Sequence, residues 1–150
     1  MRIDFADPRA VRATAVRVGR TPGGWAAVTA KGVLLVLTPT RPSTLAAIRR
    51  LGLTPATGKP APIRRATALG TPFQLRVWQG CRAIPRGRTL SYGDLARRLG
   101  CRSARAVGQA LGRNPLCRLI PCHRVVARGG SGGFAWGAET KARWLRRERT

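Results

Sequence analysis

Negative charge is the scarcest commodity in this sequence. Five Asp and Glu face 29 Lys and Arg, for a formal net charge of +24 over 150 residues. Residues 1–70 carry 12 basic and 2 acidic side chains, and residues 71–150 carry 17 and 3, so the excess is not confined to a tail. A folded domain this basic repels itself and attracts polyanions, of which nucleic acid is the commonest. Arginine-rich genome composition is the bland alternative, but it would usually raise Asp and Glu as well. Other shortages exclude other classes. No apolar run approaches the roughly 20 residues of a membrane span, and the N-terminus has no signal-like segment. That points to a cytoplasmic protein without a membrane partner. There is one histidine, and none of the four cysteines forms a C-x-x-C pair, so neither a metal site nor a cofactor is expected. Without a secretion signal, reduced thiols are a better expectation than disulfides for Cys81, Cys101, Cys117 and Cys122. Cys81 and Cys101 read as core positions.

What is present divides the chain into an α+β protein with two domains. From Val11 to Thr38 short apolar or alternating runs, "RATAVRVG", "GWAAVTA" and "GVLLVLT", are separated by "TPGG" and "AKG" turn signals. They predict an antiparallel meander of about three strands. "PSTLAAIRRLG" predicts a helix capped by Ser43 or Thr44, with Leu45, Ile48 and Leu51 inward and Gly52 at its end. Residues 53–70 hold three prolines and little periodicity, which reads as a linker. The first domain is therefore residues 1–68, an antiparallel sheet plus a helix. The second, residues 69–150, is mostly helical and contains a helix-turn-helix.

In that second half Thr71 is the N-cap of a helix with Pro72 at its first position, and Phe73, Val77 and Cys81 recur on one face. "GRTLSY" is a short strand. Ser91 caps the next helix, with Asp94 at its third position, and Gly100 breaks it. Ser103 caps another, with Ala106, Val107, Ala110 and Leu111 inward and Gly112 at the end. This spacing is that of a helix-turn-helix, and also of any αα-hairpin. A helix that reads the major groove usually carries several long polar side chains. "SARAVGQALG" instead offers Ser103, Ala104 and Gly108, with Arg105 alone reaching outward. Such a surface suits close docking in a minor groove with Arg105 inserted into the duplex, or else tight packing within the protein.

The stretch "LIPCHRVV" interrupts an apolar, strand-like run with the chain's only histidine beside a cysteine. A thiol is a nucleophile only when ionised, at an ordinary pKa of about 8.5, so Cys122 needs a base and positive charge nearby. His123 and Arg124 supply them. Adjacent residues of an extended chain point to opposite sides, which makes a bridging water more natural than a direct Cys–His bond. Histidine works best as a base when a third group orients it. Along "ETKARWLRRE", Lys141, Trp144, Leu145 and Glu148 share a helical face, and a carboxylate on an apolar face wants a partner. An arginine would serve as that partner; His123 would complete a Cys–His–Glu relay.

At "IPCHRVV" the sequence resembles the O6-alkylguanine-DNA alkyltransferases, the methylated-DNA–protein-cysteine methyltransferases. "GTPFQLRVW", "SYGDLA", "ARAVGQAL", "NP" and "KARWLRRE" stand in the family's order, so the resemblance covers about residues 70–150. It implies that Cys122 accepts the alkyl group from O6 of a damaged guanine, in duplex DNA, once per molecule. It implies that His123 acts as base through water and that Glu148 holds the imidazole. Asn114 would tie the recognition helix to the active-site loop, and Tyr92 would hydrogen-bond the guanine. Arg105 would fill the gap left by the flipped nucleotide, with Ser103, Ala104, Ala106, Gly108 and Gly112 against the DNA. Val125, Phe134, Ala135 and Trp136 would line the base pocket.

Three departures matter. Phe134 replaces a tyrosine of many members, Ala135 offers only its backbone N–H, and Trp136 crowds an edge that is glycine in some. They imply weaker acceptance of groups as bulky as benzyl. A monomer in solution is expected, with several copies along DNA allowed. The competing readings are a protein that binds alkylguanine without repairing it, and a helix-turn-helix regulator.

Overall fold

The computed structural model describes residues 2–11, 14–130 and 132–149. The chain divides into two compact units, Met1–Leu75 with Pro115–Cys117, and Arg76–Asn114 with Arg118–Thr150. In the first unit the expected meander is present: β2 (Ala15–Thr21), β3 (Gly24–Thr29) and β4 (Val33–Thr38) pair antiparallel in sequence. Arg12 and Ala13, which fall inside its first expected run, lie outside the described residues. The sheet is larger than the meander. β1 (Ile3–Ala6), β5 (Thr54–Ala56) and β6 (Arg65–Leu69) bring it to six strands in the order β1-β6-β4-β3-β2-β5, and every added pairing is parallel.

β5 and β6 correct the linker assigned to residues 53–70. Pro55 is tolerated because β5 is an edge strand, where a missing N–H breaks no ladder bond on its outer side. β6 lies between β1 and β4, and parallel interior strands carry no alternating pattern to betray them. The segment between them crosses the sheet so closely that a Cβ on Gly19 would sit 2.4 Å from Pro60 Cγ. β4 is buried along almost its whole length, as its unbroken run of apolar residues requires.

α1 (Arg41–Arg50) packs on β3 and β4. Its cap is Thr40, whose side chain accepts from the Ser43 N–H, and not Ser43 or Thr44. Pro42 has no N–H to satisfy, so the helix starts before it. Thr44 is instead fully buried, hydrogen-bonded to Thr38 at 2.7 Å and donating to the Trp25 carbonyl. Val16, Leu35, Ile48 and Leu69 centre this core.

The second unit is mostly helical. α2 (Pro72–Arg82) enters it from the end of the first unit, where Thr71 and Gln74 form a reciprocal capping box. β7 (Leu90–Ser91) leads directly into α3 (Tyr92–Arg98), capped by Ser91, and α4 (Ala104–Gly112) is capped by Ser103. Gly100, at φ 66°, turns the chain between α3 and α4. Cys101 is half-buried in this turn, outside the core to which its apolarity assigned it, and its Sγ accepts from the Ser103 N–H at 3.4 Å. β8 (Val125–Val126) pairs parallel with β7, and α5 (Ala138–Arg149) ends the described chain. Trp78, Leu95, Val107 and Ile120 are almost fully buried. Among the described residues, no helix is long and apolar enough to cross a membrane.

Candidate active site

Only Val125–Val126 of the strand-like run is a strand; Cys122–Arg124 is a single 3-10 turn. Pro121 is the cause. Its ring sets φ at −79° with ψ at 61°, and the turn closes through Cys122 N–H to Ile120 O at 2.8 Å and Arg124 N–H to Pro121 O at 2.9 Å. With about three residues per turn, successive side chains diverge by roughly 120°. Cys122 and His123 therefore leave the backbone towards different surroundings.

Cys122 is 4% exposed. Asn114, itself buried, donates from Nδ2 to the Cys122 Sγ at 3.3 Å and to the Ile120 carbonyl at 2.9 Å. One amide thus locates the sulfur and the turn that carries it, and a donor aimed at a thiol favours its anion. Asn114→Ala is expected to slow alkylation of Cys122 by about tenfold or more and to cost about 1 kcal/mol, since the Ile120 carbonyl then keeps only the Cys122 N–H. Alkylation kinetics together with urea denaturation measure both, and an unchanged rate would contradict the assignment.

His123 is held on the far side of the turn. Its Nε2 lies 2.7 Å from Glu148 Oε1, and its ring stands edge-on to Trp144 at 5.3 Å. Its Nδ1 is buried and meets no protein partner, which leaves that nitrogen available as a proton acceptor. Burial holds the imidazole below its ordinary pKa of 6.5, against the opposing pull of Glu148. Arg124 clamps the same carboxylate, with Nε to Oε2 at 2.8 Å and Nη2 to Oε1 at 3.0 Å, while its Nη1 donates to the Ile84 carbonyl. Burial alone would raise Glu148, but the hydrogen bonds from Arg124 and His123 outweigh it and bring the carboxyl down to about 2. Glu148 accordingly has both partners the sequence offered it, the arginine and the histidine.

Cys122 lines a cavity of about 580 Å³ bounded by Tyr92, by α4 and by the loop ahead of α5. Phe134 and Trp136 meet edge-to-face at 5.1 Å on its wall, and Phe134 packs on Trp144 at 5.7 Å. The Tyr92 hydroxyl donates to the Gly133 carbonyl at 3.0 Å, and its ring is so close to Gly132 that a Cβ there would lie 3.0 Å from it. Gly132 also has φ 68°, so the loop needs glycine on both counts. Behind the wall Lys141 is fully buried, its Nζ donating to the Val125 carbonyl at 2.7 Å and lying 5.6 Å from the Tyr92 ring centre. Burial depresses its pKa.

A family model described as 6-O-methylguanine DNA methyltransferase, DNA binding domain, matches residues 72–150. The chain belongs to the 6-O-methylguanine DNA methyltransferase family. The methylated-DNA–protein-cysteine methyltransferase of Salmonella typhimurium is 52% identical over 81 residues, 53% of this chain and 47% of that one. The chain thus spans about half the length of that relative. The crystal structure of Mycobacterium tuberculosis OGT in complex with DNA is similar at 30% identity and a TM-score of 0.69, covering 90% of this chain and 92% of that one. The O6-methylguanine-DNA methyltransferase of Pyrococcus kodakaraensis is similar at 26% identity and a TM-score of 0.67, covering 91% and 99%.

In this member of the 6-O-methylguanine DNA methyltransferase family, most residues singled out in the sequence converge. Tyr92, Ala104, Arg105, Gly108, Gly112, Cys122, Phe134, Ala135 and Trp136 all border the one cavity. Asn114 donates to the sulfur, and His123 pairs with Glu148 on the far side of the turn. One expectation fails locally. Val125 does not line the cavity: it is fully buried and its carbonyl is occupied by Lys141. Ser103, which caps α4, is exposed, and Ala106 is half-buried; both were expected against DNA and neither belongs to the cavity lining. Gly108 faces the Tyr92 ring, 3.7 Å from a Cβ built there, so part of α4's small-residue face packs within the protein. Sequence reasoning missed Lys141, although a lysine on the same apolar stripe as Trp144 was the available signal. It also missed Gln109, Leu111 and Gly133 as lining residues, which no local pattern marks. Among the described residues, no three of His, Cys, Asp and Glu come together as metal ligands would.

Proposed function

We propose that this chain is a cytoplasmic DNA-repair protein that takes O6-alkylguanine, mainly O6-methylguanine, out of duplex DNA. It transfers the alkyl group irreversibly to its own Cys122. The observation that carries the reading is a thiol lining a purine-sized cavity while the histidine next to it is locked to a carboxylate. Residues 69–150 are the alkyltransferase and DNA-binding domain in this reading, and residues 1–68 precede it in the sequence.

The O6 carbon is stacked inside the duplex, so the base must be everted at a cost of a few kcal/mol. α3 and α4 act as the helix-turn-helix. Ala104 and Gly112 are exposed and small, which lets the backbone approach a minor groove, and the exposed Arg105 fills the vacated stack. Neutral His123 takes the Cys122 proton at Nδ1 through a water molecule, and Glu148 stabilises the imidazolium. The thiolate attacks the alkyl carbon: the S–C bond forms, the C–O6 bond breaks, and its electron pair returns to the purine. The proton lost by the thiol ends on the guanine, with Tyr92 hydrogen-bonding the departing base. The product thioether has no activated carbonyl for water to attack, so the sulfur is not regenerated. Phe134, Ala135 and Trp136 narrow the pocket against benzyl-sized groups.

The test is stoichiometry. With methyl-labelled O6-methylguanine duplex in excess, label transfer is expected to stop at one methyl per protein chain at any incubation time. Continued release of label into solution, or none transferred, would overturn the reading.

A further inference from the structure

α4 carries two side chains able to hydrogen-bond, Arg105 and Gln109, and its other residues are Ala, Val, Leu or Gly. The two stand four apart, so they project from one helical face, about 6 Å from each other along the axis. Both are exposed, and both border the cavity of about 580 Å³ that holds Cys122. Arg105 has a part in the function proposed above; Gln109 has none. Among the described residues its carboxamide has no hydrogen-bond partner. Its length is not needed for packing either, because Val107, Ala110 and Leu111 carry the buried face of α4. Ala104 and Gly112, exposed on the same helix, leave the outward surface low, and Gln109 stands above it one turn past Arg105.

We propose that Gln109 is a specificity-determining residue, whose carboxamide reads the minor-groove edge of a base pair beside the everted guanine and favours G·C over A·T there. The docking of α4 in the groove rests on the function proposed above. The minor groove presents acceptors at every base pair, purine N3 and pyrimidine O2, and a donor, the N2 amino group, at guanine alone. A carboxamide holds a donor and an acceptor in one plane. At guanine it donates from Nε2 to N3 and accepts at Oε1 from N2–H. At an A·T pair Oε1 meets no donor. Glutamine is one of the residue types with which minor-groove proteins make this distinction, and the guanidinium of Arg105, which has donors only, cannot make it. With Arg105 in the vacated stack, an offset of about 6 Å falls within two base-pair steps of about 3.4 Å. Gln109 therefore meets an intact pair within two steps of the lesion, and on one side of it only, since α4 runs in one direction.

Binding is measured on the full chain carrying Cys122→Ala, which leaves the alkyl group on the DNA. With O6-methylguanine duplexes of one sequence, changing a single pair within two steps of the lesion from A·T to G·C is expected to tighten binding about fivefold on one side and to change it little on the other. Replacing the guanine of that pair by inosine, which lacks the N2 amino group, is expected to abolish the gain. Adding Gln109→Met keeps the length of the side chain, removes its polar atoms and suits an exposed helical position, so the fold is retained. It is expected to erase the difference among the three duplexes. Binding indifferent to the flanking pair, a gain equal on both sides, or a gain that survives inosine or Gln109→Met overturns the proposal. A loss of equal size in every sequence context on Gln109→Met also overturns it, since the amide then serves the everted base and not its neighbour. Because the readout is binding without transfer, failure of methyl transfer in the unmodified chain and failure of context reading are separate results.

Discussion

Glu148→Ala is expected to cost about 3 kcal/mol of stability at pH 7 and to slow alkyl transfer by about 100-fold or more. The side chain of Arg124 is 16% exposed and points two nitrogens at the carboxylate, so the alanine variant strands a guanidinium that water reaches poorly. The same change releases His123 Nε2 from the bond that sets its ring and leaves the imidazolium without a counter-charge. Glu148→Gln keeps the shape and drops the charge, so it is expected to fall between the two. The pH dependence has a definite sign. The folded carboxyl titrates at about 2 against an ordinary 4.5, so its contribution is complete above about 4.5 and is lost as pH falls towards 2. Denaturation at pH 7 and pH 3 is therefore expected to show a larger loss for the unmodified chain than for Glu148→Ala; equal losses would contradict the clamp. His123 has the same sign. Held below 6.5, it is neutral at pH 7, so the acid limb of the transfer rate is expected below pH 6.5.

Trp78→Ala is expected to cost about 3–5 kcal/mol, the largest effect of any single core truncation here. The indole is 1% exposed, and its Nε1–H donates to the Ala110 carbonyl at 2.9 Å. Ala110 lies in the last turn of α4, where its carbonyl also accepts from the Arg113 N–H at 3.2 Å, so this one side chain fills the core and adds a second bond at the helix end. Trp78→Phe retains most of the packing and leaves that carbonyl with the Arg113 N–H alone, at about 1 kcal/mol. Because α4 carries Ala104, Arg105 and Gly112, the alanine variant is also expected to bind duplex more weakly and to lose amide exchange protection along α4. A loss confined to α2 would show that the indole does not anchor α4.

The helices α2, α3 and α4 were legible because their ends are written in side-chain chemistry. Thr71, Ser91 and Ser103 each accept from a backbone N–H three residues on, as expected for a polar residue before an apolar periodic run. α1 escaped by a few residues because Pro42 moved the start of the helix upstream to Thr40. β1, β5 and β6 were illegible for another reason: parallel pairing is decided by partners distant in sequence, and neither alternation nor turn residues announce it. In the site, Cys122, His123 and Glu148 could be named from residue type and spacing. The 3-10 turn that sends Cys122 and His123 to different surroundings could not, since a bend at Pro121 is local but the Asn114 amide that holds it reaches across from the end of α4. Lys141 was hidden by its charge, which normally marks solvent. Its burial becomes intelligible only once the Val125 carbonyl and the Tyr92 ring are in place.

Peptide mass spectrometry after incubation with O6-methylguanine duplex tests the account most directly, because it asks which atom keeps the carbon. One methyl adduct per chain is predicted on the peptide holding Cys122, none on those holding Cys81, Cys101 or Cys117, and none anywhere in Cys122→Ala. A methyl group on another cysteine, or one that persists in Cys122→Ala, would contradict it.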